Sequence, residues 1–175
     1  FQVKEIFAYS KKDFAKKVFG TNDPTHPGVQ KIYQRKDYMA AGLISLVQPQ
    51  GDKFKKFTLT PEQTRAFFKQ QGWKTIAAFQ TRNVPHIGHE YLQKTALNIC
   101  DGLFINPVIG RKKSGDFRDD LILKTYNALV ENYFPQDNVL LGSFNYEMQY
   151  AGSREAVHHA IIRKICRRNF RISYY

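Results

Sequence analysis

From Phe79 to His89 the chain reads Phe79-Gln80-Thr81-Arg82-Asn83-Val84-Pro85-His86-Ile87-Gly88-His89. The chemistry these side chains share is the holding of an oxyanion. Arg82 offers a planar fork of N–H donors that suits a tetrahedral oxyanion. Gln80, Thr81 and Asn83 add neutral hydrogen-bonding groups. His86 and His89 are three apart, so on the first turn of a helix they lie on one face. Gly88 between them leaves the backbone open to a close-approaching ligand. If a helix starts here, its free N–H groups and partial positive charge strengthen the attraction. The same histidine pair could ligate zinc, but no third ligand is evident nearby.

Such a loop needs a strand to deliver it and a helix to receive it, and the flanking pattern supplies both. Thr75 to Phe79 is a short apolar run that predicts a buried strand, and a helix is expected from about His86 to Ile99. The alternation continues with a strand at Leu103 to Ile109 and a helix at Asp119 to Tyr133. A third strand is expected at Val139 to Phe144, then a helix capped by Ser153 and running to about Arg168. Upstream, Thr60-Pro61-Glu62-Gln63 opens a helix that Gly72 ends: Thr as N-cap, Pro at the first turn, Gln reaching back. Uninterrupted apolar strands alternating with helices imply an α/β fold with a parallel sheet covered on both faces. Ligands of such folds bind beyond the carboxyl ends of the strands. The loop at 80–89 lies at one such end. Asp116 and Arg154 lie on the other two, where helix capping and surface pairing are favoured over a catalytic role.

Residues 1–59 read differently. Ser10 with Asp13 opens a short helix that Gly20 closes, and Gly20 to Gly28 is turn-rich, with Pro24 and Pro27 as breakers. Tyr38 to Val47 is an extended apolar segment and Gln48 to Lys56 a polar turn. This is the tail of a β-rich domain, and 60–175 is the first part of a second domain. Phe1 is not an initiator Met and no signal-peptide pattern follows it, so the sequence reads as one whose beginning has been lost.

Composition bounds the class. The chain has 175 residues, 42% hydrophobic and 24% charged, which is enough for one complete core and part of another. Its apolar runs are too short to span a bilayer, so no membrane partner is expected. Cys100 and Cys166 give neither a disulfide framework nor metal spacing, and are expected as buried free thiols of a reducing cytoplasm. The net charge of +12 favours polyanions, but the Lys and Arg residues are scattered, with small clusters at Lys53–Lys56, Arg111–Lys113 and Arg163–Arg171. No aromatic-plus-basic platform for RNA is present, and no nucleic-acid partner is expected.

His86-Ile87-Gly88-His89 resembles the signature of the nucleotidyltransferases whose two histidines hold ATP phosphates. The preceding Gln80-Thr81-Arg82-Asn83 narrows the resemblance to the ATP sulfurylase (sulfate adenylyltransferase) family, whose pattern is Q-T-R-N-P-x-H-x-x-H. The stretches Phe19-Gly20-Thr21, Asp23 to Val29, Gly72-Trp73, Glu90-Tyr91-Leu92, Tyr150-Ala151-Gly152 and Arg154-Glu155-Ala156 resemble the family in family order, over roughly residues 5–164. Val84 stands where the family has a proline, and Gln149 and Ser153 replace an Arg and a Pro. The family's second signature, G-R-D-H-A-G, is absent, and Ile165 to Tyr175 resembles no family stretch. A sheet that stops after its third strand is therefore expected, with no turnover from these residues alone.

The resemblance implies a Rossmann-like nucleotidyltransferase sheet preceded by a PUA-like domain. It implies transfer of AMP from ATP to sulfate, giving adenosine 5′-phosphosulfate and pyrophosphate, with Mg²⁺ accompanying ATP, in a cytoplasmic homo-oligomer. It assigns sulfate to Gln80 and Arg82, catalysis around the α-phosphate to Thr81, Arg82 and Asn83, and stabilisation of phosphate charge to His86 and His89. All six would contact ATP. The competing readings are another nucleotidyltransferase of the same superfold and a non-catalytic, basic nucleic-acid-binding module.

Overall fold

The computed structural model describes residues 2–45, 53–112, 115–167 and 171–174. The chain divides into two compact units, one formed by Phe1–Gly51 with Gln149–His159, the other by Asp52–Met148 with Ala160–Tyr175.

In the first unit, β1 (Gln2–Ala8) and β2 (Tyr38–Leu43) form an antiparallel two-stranded sheet, and between them lie α1 (Lys11–Phe19) and α2 (Pro27–Gln34). Ser10 caps α1 by accepting from the Asp13 N–H, and Gly20 closes it at φ 77°, where a side chain would be strained. Pro27 does not break the chain as expected. It occupies the first turn of α2, where its missing N–H costs nothing, and His26 caps that helix. Val29 and Ile32 of α2 are buried, as is Ala15 of α1. The expected extended run beyond Ser45, and the start of the polar turn at Gln48, lie outside the described residues.

The second unit is built on a parallel sheet in the order β5-β4-β3-β7. Its strands are β3 (Thr75–Thr81), β4 (Gly102–Ile109), β5 (Val139–Leu141), β6 (Phe144–Asn145) and β7 (Arg171–Tyr174). Its helices are α3 (Pro61–Gln70), α4 (Ile87–Leu97) and α5 (Asp119–Tyr133), with α6 (Ser153–Arg167) ending in it. The capping box of α3 is complete, with Thr60 accepting from the Gln63 N–H and the Gln63 side chain accepting from the Thr60 N–H. Such a cap contributes about 1 kcal/mol. Every residue of β4 is buried, as the centre of a parallel sheet covered on both faces requires. On one side Phe68 of α3 stacks on Trp73 (5.5 Å, 23°) and meets Phe104 edge-on (5.8 Å, 72°). Truncating Phe68 to Ala there costs about 3–5 kcal/mol. On the other side Ile122, Tyr126 and Leu129 of α5 pack with Phe79, Leu103 and Ile105.

Three expectations are corrected. The sheet does not stop after three strands: β7, in the stretch that resembles no family segment, pairs in parallel with β3 from Thr75↔Arg171 to Ala78↔Tyr174. The expected strand Val139–Phe144 is broken in two along one edge of β4. The break is made by groups from elsewhere in the chain. The Asn106 amide donates to the Gly142 carbonyl (2.6 Å), and the Ser143 N–H turns outward to the Phe57 carbonyl (2.7 Å). Finally, the Cys100 and Cys166 thiols are only half-buried.

Candidate functional site

β3 runs two residues past its expected end, so Gln80 and Thr81 stand on the strand itself, beside Asn106 and Pro107 of β4. The chain then turns. The Thr81 hydroxyl accepts from the Asn83 N–H at 3.1 Å, a local side-chain turn that ends the strand. Gln80, Thr81, Arg82 and Asn83 line one cleft of about 290 Å³ together with Val108 and Met148.

His86 is the N-cap of α4. Its backbone is extended (φ −138°, ψ 172°), and its Nδ1 accepts from the Gly88 N–H at 3.1 Å. Because Nδ1 accepts, the proton of the neutral ring resides on Nε2, which makes the outward nitrogen a donor. His89 lies one turn on, stacked on His86 with ring centroids 3.8 Å apart and planes 24° apart. Its other sides meet the Phe79 ring edge-on at 5.4 Å and the Tyr126 hydroxyl, 3.5 Å from Nδ1. Burial, and then the neighbouring His86, hold His89 below the ordinary histidine value, with its hydrogen bond to the Val84 backbone acting the other way. His89 therefore favours the neutral form at neutral pH. His86 also opens on a groove of about 510 Å³ that runs between α4 and α5 beside Thr125, Leu129 and Tyr133. All six sequence-expected residues thus occupy one strand–turn–helix segment, four around the cleft and two stacked at the helix start.

Three residues behind this segment were not read from the sequence. Arg163 of α6 is buried, and its guanidinium donates to Gln80 Oε1. Arg163 had been counted only as part of a basic cluster. Tyr126 is fully buried beneath His89, and burial pushes its hydroxyl up to about 12 against the pull of Thr81 and Gln93, so it stays protonated. Asp116 was read as a cap or a surface partner. It is neither: Arg118 holds the cap position of α5, and the Asp116 carboxylate faces Arg82, Oδ2 to Nε 3.8 Å, with 9% of its side chain exposed. Arg154 belongs to the other unit and is exposed. Among the described residues no cluster of three His, Cys, Asp or Glu side chains could hold a metal ion, and no helix is long and apolar enough to cross a membrane.

Known proteins resemble this chain in fold and in sequence. A solved structure titled "Hexameric APS kinase from Thiobacillus denitrificans" superposes with a TM-score of 0.56 at 20% identity, covering 79% of this chain and 30% of that one, a likeness of fold alone. Sulfate adenylyltransferases of Pyrococcus abyssi and Thermococcus onnurineus are 56% and 55% identical over 162 residues, 93% of this chain. This chain spans only 43% of the length of those relatives. That of Symbiobacterium thermophilum is 41% identical over 174 residues, 99% of this chain and 43% of its own length. The PUA-like domain model matches residues 1–49. The ATP-sulfurylase model matches residues 55–170, past the point where resemblance was expected to end, and with most of its length inside that match the chain belongs to the ATP-sulfurylase family.

Proposed function

We propose that this chain supplies the sulfate-binding and phosphate-binding loop of a sulfate adenylyltransferase. The observation that carries the reading is the joint placement of Gln80, Arg82 and Asn83 around one cleft, with His86 and His89 stacked at the start of the next helix.

In the proposed reaction a sulfate oxygen attacks the α-phosphorus of ATP, and the bond from that phosphorus to the bridging oxygen of the β-phosphate breaks. Pyrophosphate leaves with the electron pair. Sulfate is already ionised at neutral pH, so no general base is needed. Two polyanions must nonetheless approach each other, and most of the catalysis is positioning and charge neutralisation. Gln80 and Arg82 hold sulfate, while Thr81, Arg82 and Asn83 gather round the α-phosphate. The outward Nε2–H of His86 donates to a phosphate oxygen. Nucleotide phosphates raise the proton affinity of His89, opposing the burial that lowers it, and His86 and His89 stabilise the charge on the transferring phosphate and the departing pyrophosphate. Mg²⁺ enters as part of the nucleotide substrate. The setting we propose is cytoplasmic and homo-oligomeric. Neither competing reading, another nucleotidyltransferase or a basic nucleic-acid-binding module, has a feature of the site in its favour.

The test is sulfate-dependent exchange of pyrophosphate into ATP, in a protein of the relatives' length carrying these residues. Arg82→Ala is expected to lower kcat/KM by about a hundredfold or more. Arg82→Lys should recover little, because a point charge does not replace a planar fork. Activity of Arg82→Ala within a few-fold of the parent would overturn the assignment.

A further inference from the structure

The loop between β4 and α5 and the first turn of α5 carry two ion pairs, and beside them one further carboxylate, Asp116. The Lys112 ammonium pairs with Asp119. The Arg118 guanidinium grips Asp120 through two hydrogen bonds, 3.0 and 2.7 Å. Asp116 sits among these cations in the same depression, with Lys53 at its rim, yet its ion pair in the described residues is with Arg82, on the loop after β3. The pair is unsymmetrical. Asp116 Oδ2 and Arg82 Nε are both shut off from solvent and neither has a hydrogen-bond partner, although they face each other at 3.8 Å. The rest of the Arg82 side chain, 38% exposed, borders the cleft with Gln80, Thr81 and Asn83. The Nε edge of the guanidinium thus faces a buried carboxylate, while the side chain as a whole is partly exposed at the cleft.

We propose that Asp116 is a positioning residue for Arg82, holding the Nε edge so that the terminal fork meets sulfate and the α-phosphate in one orientation. The inference rests on the function proposed above. An arginine has several rotatable bonds and would otherwise sample many orientations. A carboxylate so near also repels an incoming sulfate, so it weakens sulfate binding while it improves alignment. These opposite effects give the pair its signature. Removing the charge of Asp116 lowers kcat and leaves the KM for sulfate unchanged or lower. A residue needed only for folding would instead lower the melting temperature and the fraction of active protein, without that split.

The experiment compares Asp116→Asn and Asp116→Glu with the parent protein of the relatives' length, in sulfate-dependent pyrophosphate exchange. Asp116→Asn is expected to lower kcat about tenfold to a hundredfold with a sulfate KM equal to or below the parent's. Asp116→Glu, which restores a carboxylate, should recover part of kcat. In an Arg82→Lys background, where the Nε edge is gone, Asp116→Asn should change kcat less than about twofold, because coupled residues are not additive. A kcat within twofold of the parent, a raised KM with kcat unchanged, or full additivity with Arg82→Lys would each overturn the proposal. Proton exchange at Arg82 Nε, followed by nitrogen NMR, gives a readout that needs no turnover: protection in the parent that is lost in Asp116→Asn supports the pair, and no change between them refutes it. A parent with no sulfate-dependent exchange but with this protection would remove the proposed function and leave the pairing standing.

Discussion

His26 at the start of α2 and His86 at the start of α4 hold the same local position. Each is the N-cap of its helix, each is followed by a residue and then a glycine, and each accepts from that glycine's N–H at 3.1 Å through Nδ1. Their surroundings differ. The second nitrogen of His26 donates to the Tyr150 carbonyl (3.1 Å), and its ring packs on Phe19 with centroids 5.0 Å apart. Both nitrogens are thus used within the fold. The His86 ring is stacked on another histidine, and the next residue, Ile87, is 85% exposed. The same three-residue device is a closed structural joint in one unit and an open donor in the other. Local sequence made the cap, and the company of the ring decided its use.

Exchanging the two histidines for alanine should break the comparison most sharply. His86→Ala is expected to lower kcat about a hundredfold or more, with a stability cost confined to its helix cap, about 1 kcal/mol. His26→Ala is expected to cost more, about 2–3 kcal/mol of stability, through a lost cap and a lost hydrogen bond to the part-buried Tyr150 carbonyl, with kcat changed less than threefold. Denaturation and steady-state kinetics on the two variants decide it. A stability loss at His86 matching that at His26 would collapse the distinction.

The glycines sharpen it at smaller scale. A Cβ on Gly28 would fall 2.4 Å from the Phe19 ring and 2.7 Å from the Gln149 carbonyl oxygen, so Gly28→Ala should destabilise by about 1–3 kcal/mol. On Gly88 a Cβ meets only the His86 ring, at 3.0 and 3.1 Å. Gly88→Ala should therefore keep the protein's stability, or raise it by up to about 1 kcal/mol through helix propensity, and displace His86 instead. The readout is a several-fold loss of kcat without a fall in melting temperature.

The smallest effect is a titration. Followed by NMR without nucleotide, His89 should titrate below the ordinary value of about 6.5. In His86→Gln the midpoint should rise, because the like-charged neighbour and some of the burial are removed. A group whose folded pKa is lowered leaves stability intact above about 6.5 and withdraws it as pH falls through the folded value, so this contribution is lost on acidification. A midpoint at or above 6.5 in the parent would contradict the buried, neutral ring.

Several features were legible in the chain because their causes lie within a few residues. Thr60, Pro61 and Gln63 define the start of α3 unaided, and the apolar runs either side of 80–89 announce a strand and a helix around a polar turn. The bounds of α5 follow from its 3.6-residue periodicity. Family resemblance in Gln80 to His89 then suggested the chemistry proposed above. What escaped reading depends on groups brought together from distant parts of the sequence. α2 was hidden because a proline at a first turn and a proline in a loop look alike until the helix packs Val29 and Ile32. The third strand broke at Gly142 because Asn106, on another strand, claims its carbonyl. Gln80 meets Arg163 across 83 residues, and Arg82 meets Asp116 only after β3 and β4 lie side by side. Tyr126 comes beneath His89 only when α5 covers the sheet. Hydrogen bonding and helix capping act over one turn, so sequence alone reveals them. Burial and ion pairing act through space, and the fold must bring the partners together first.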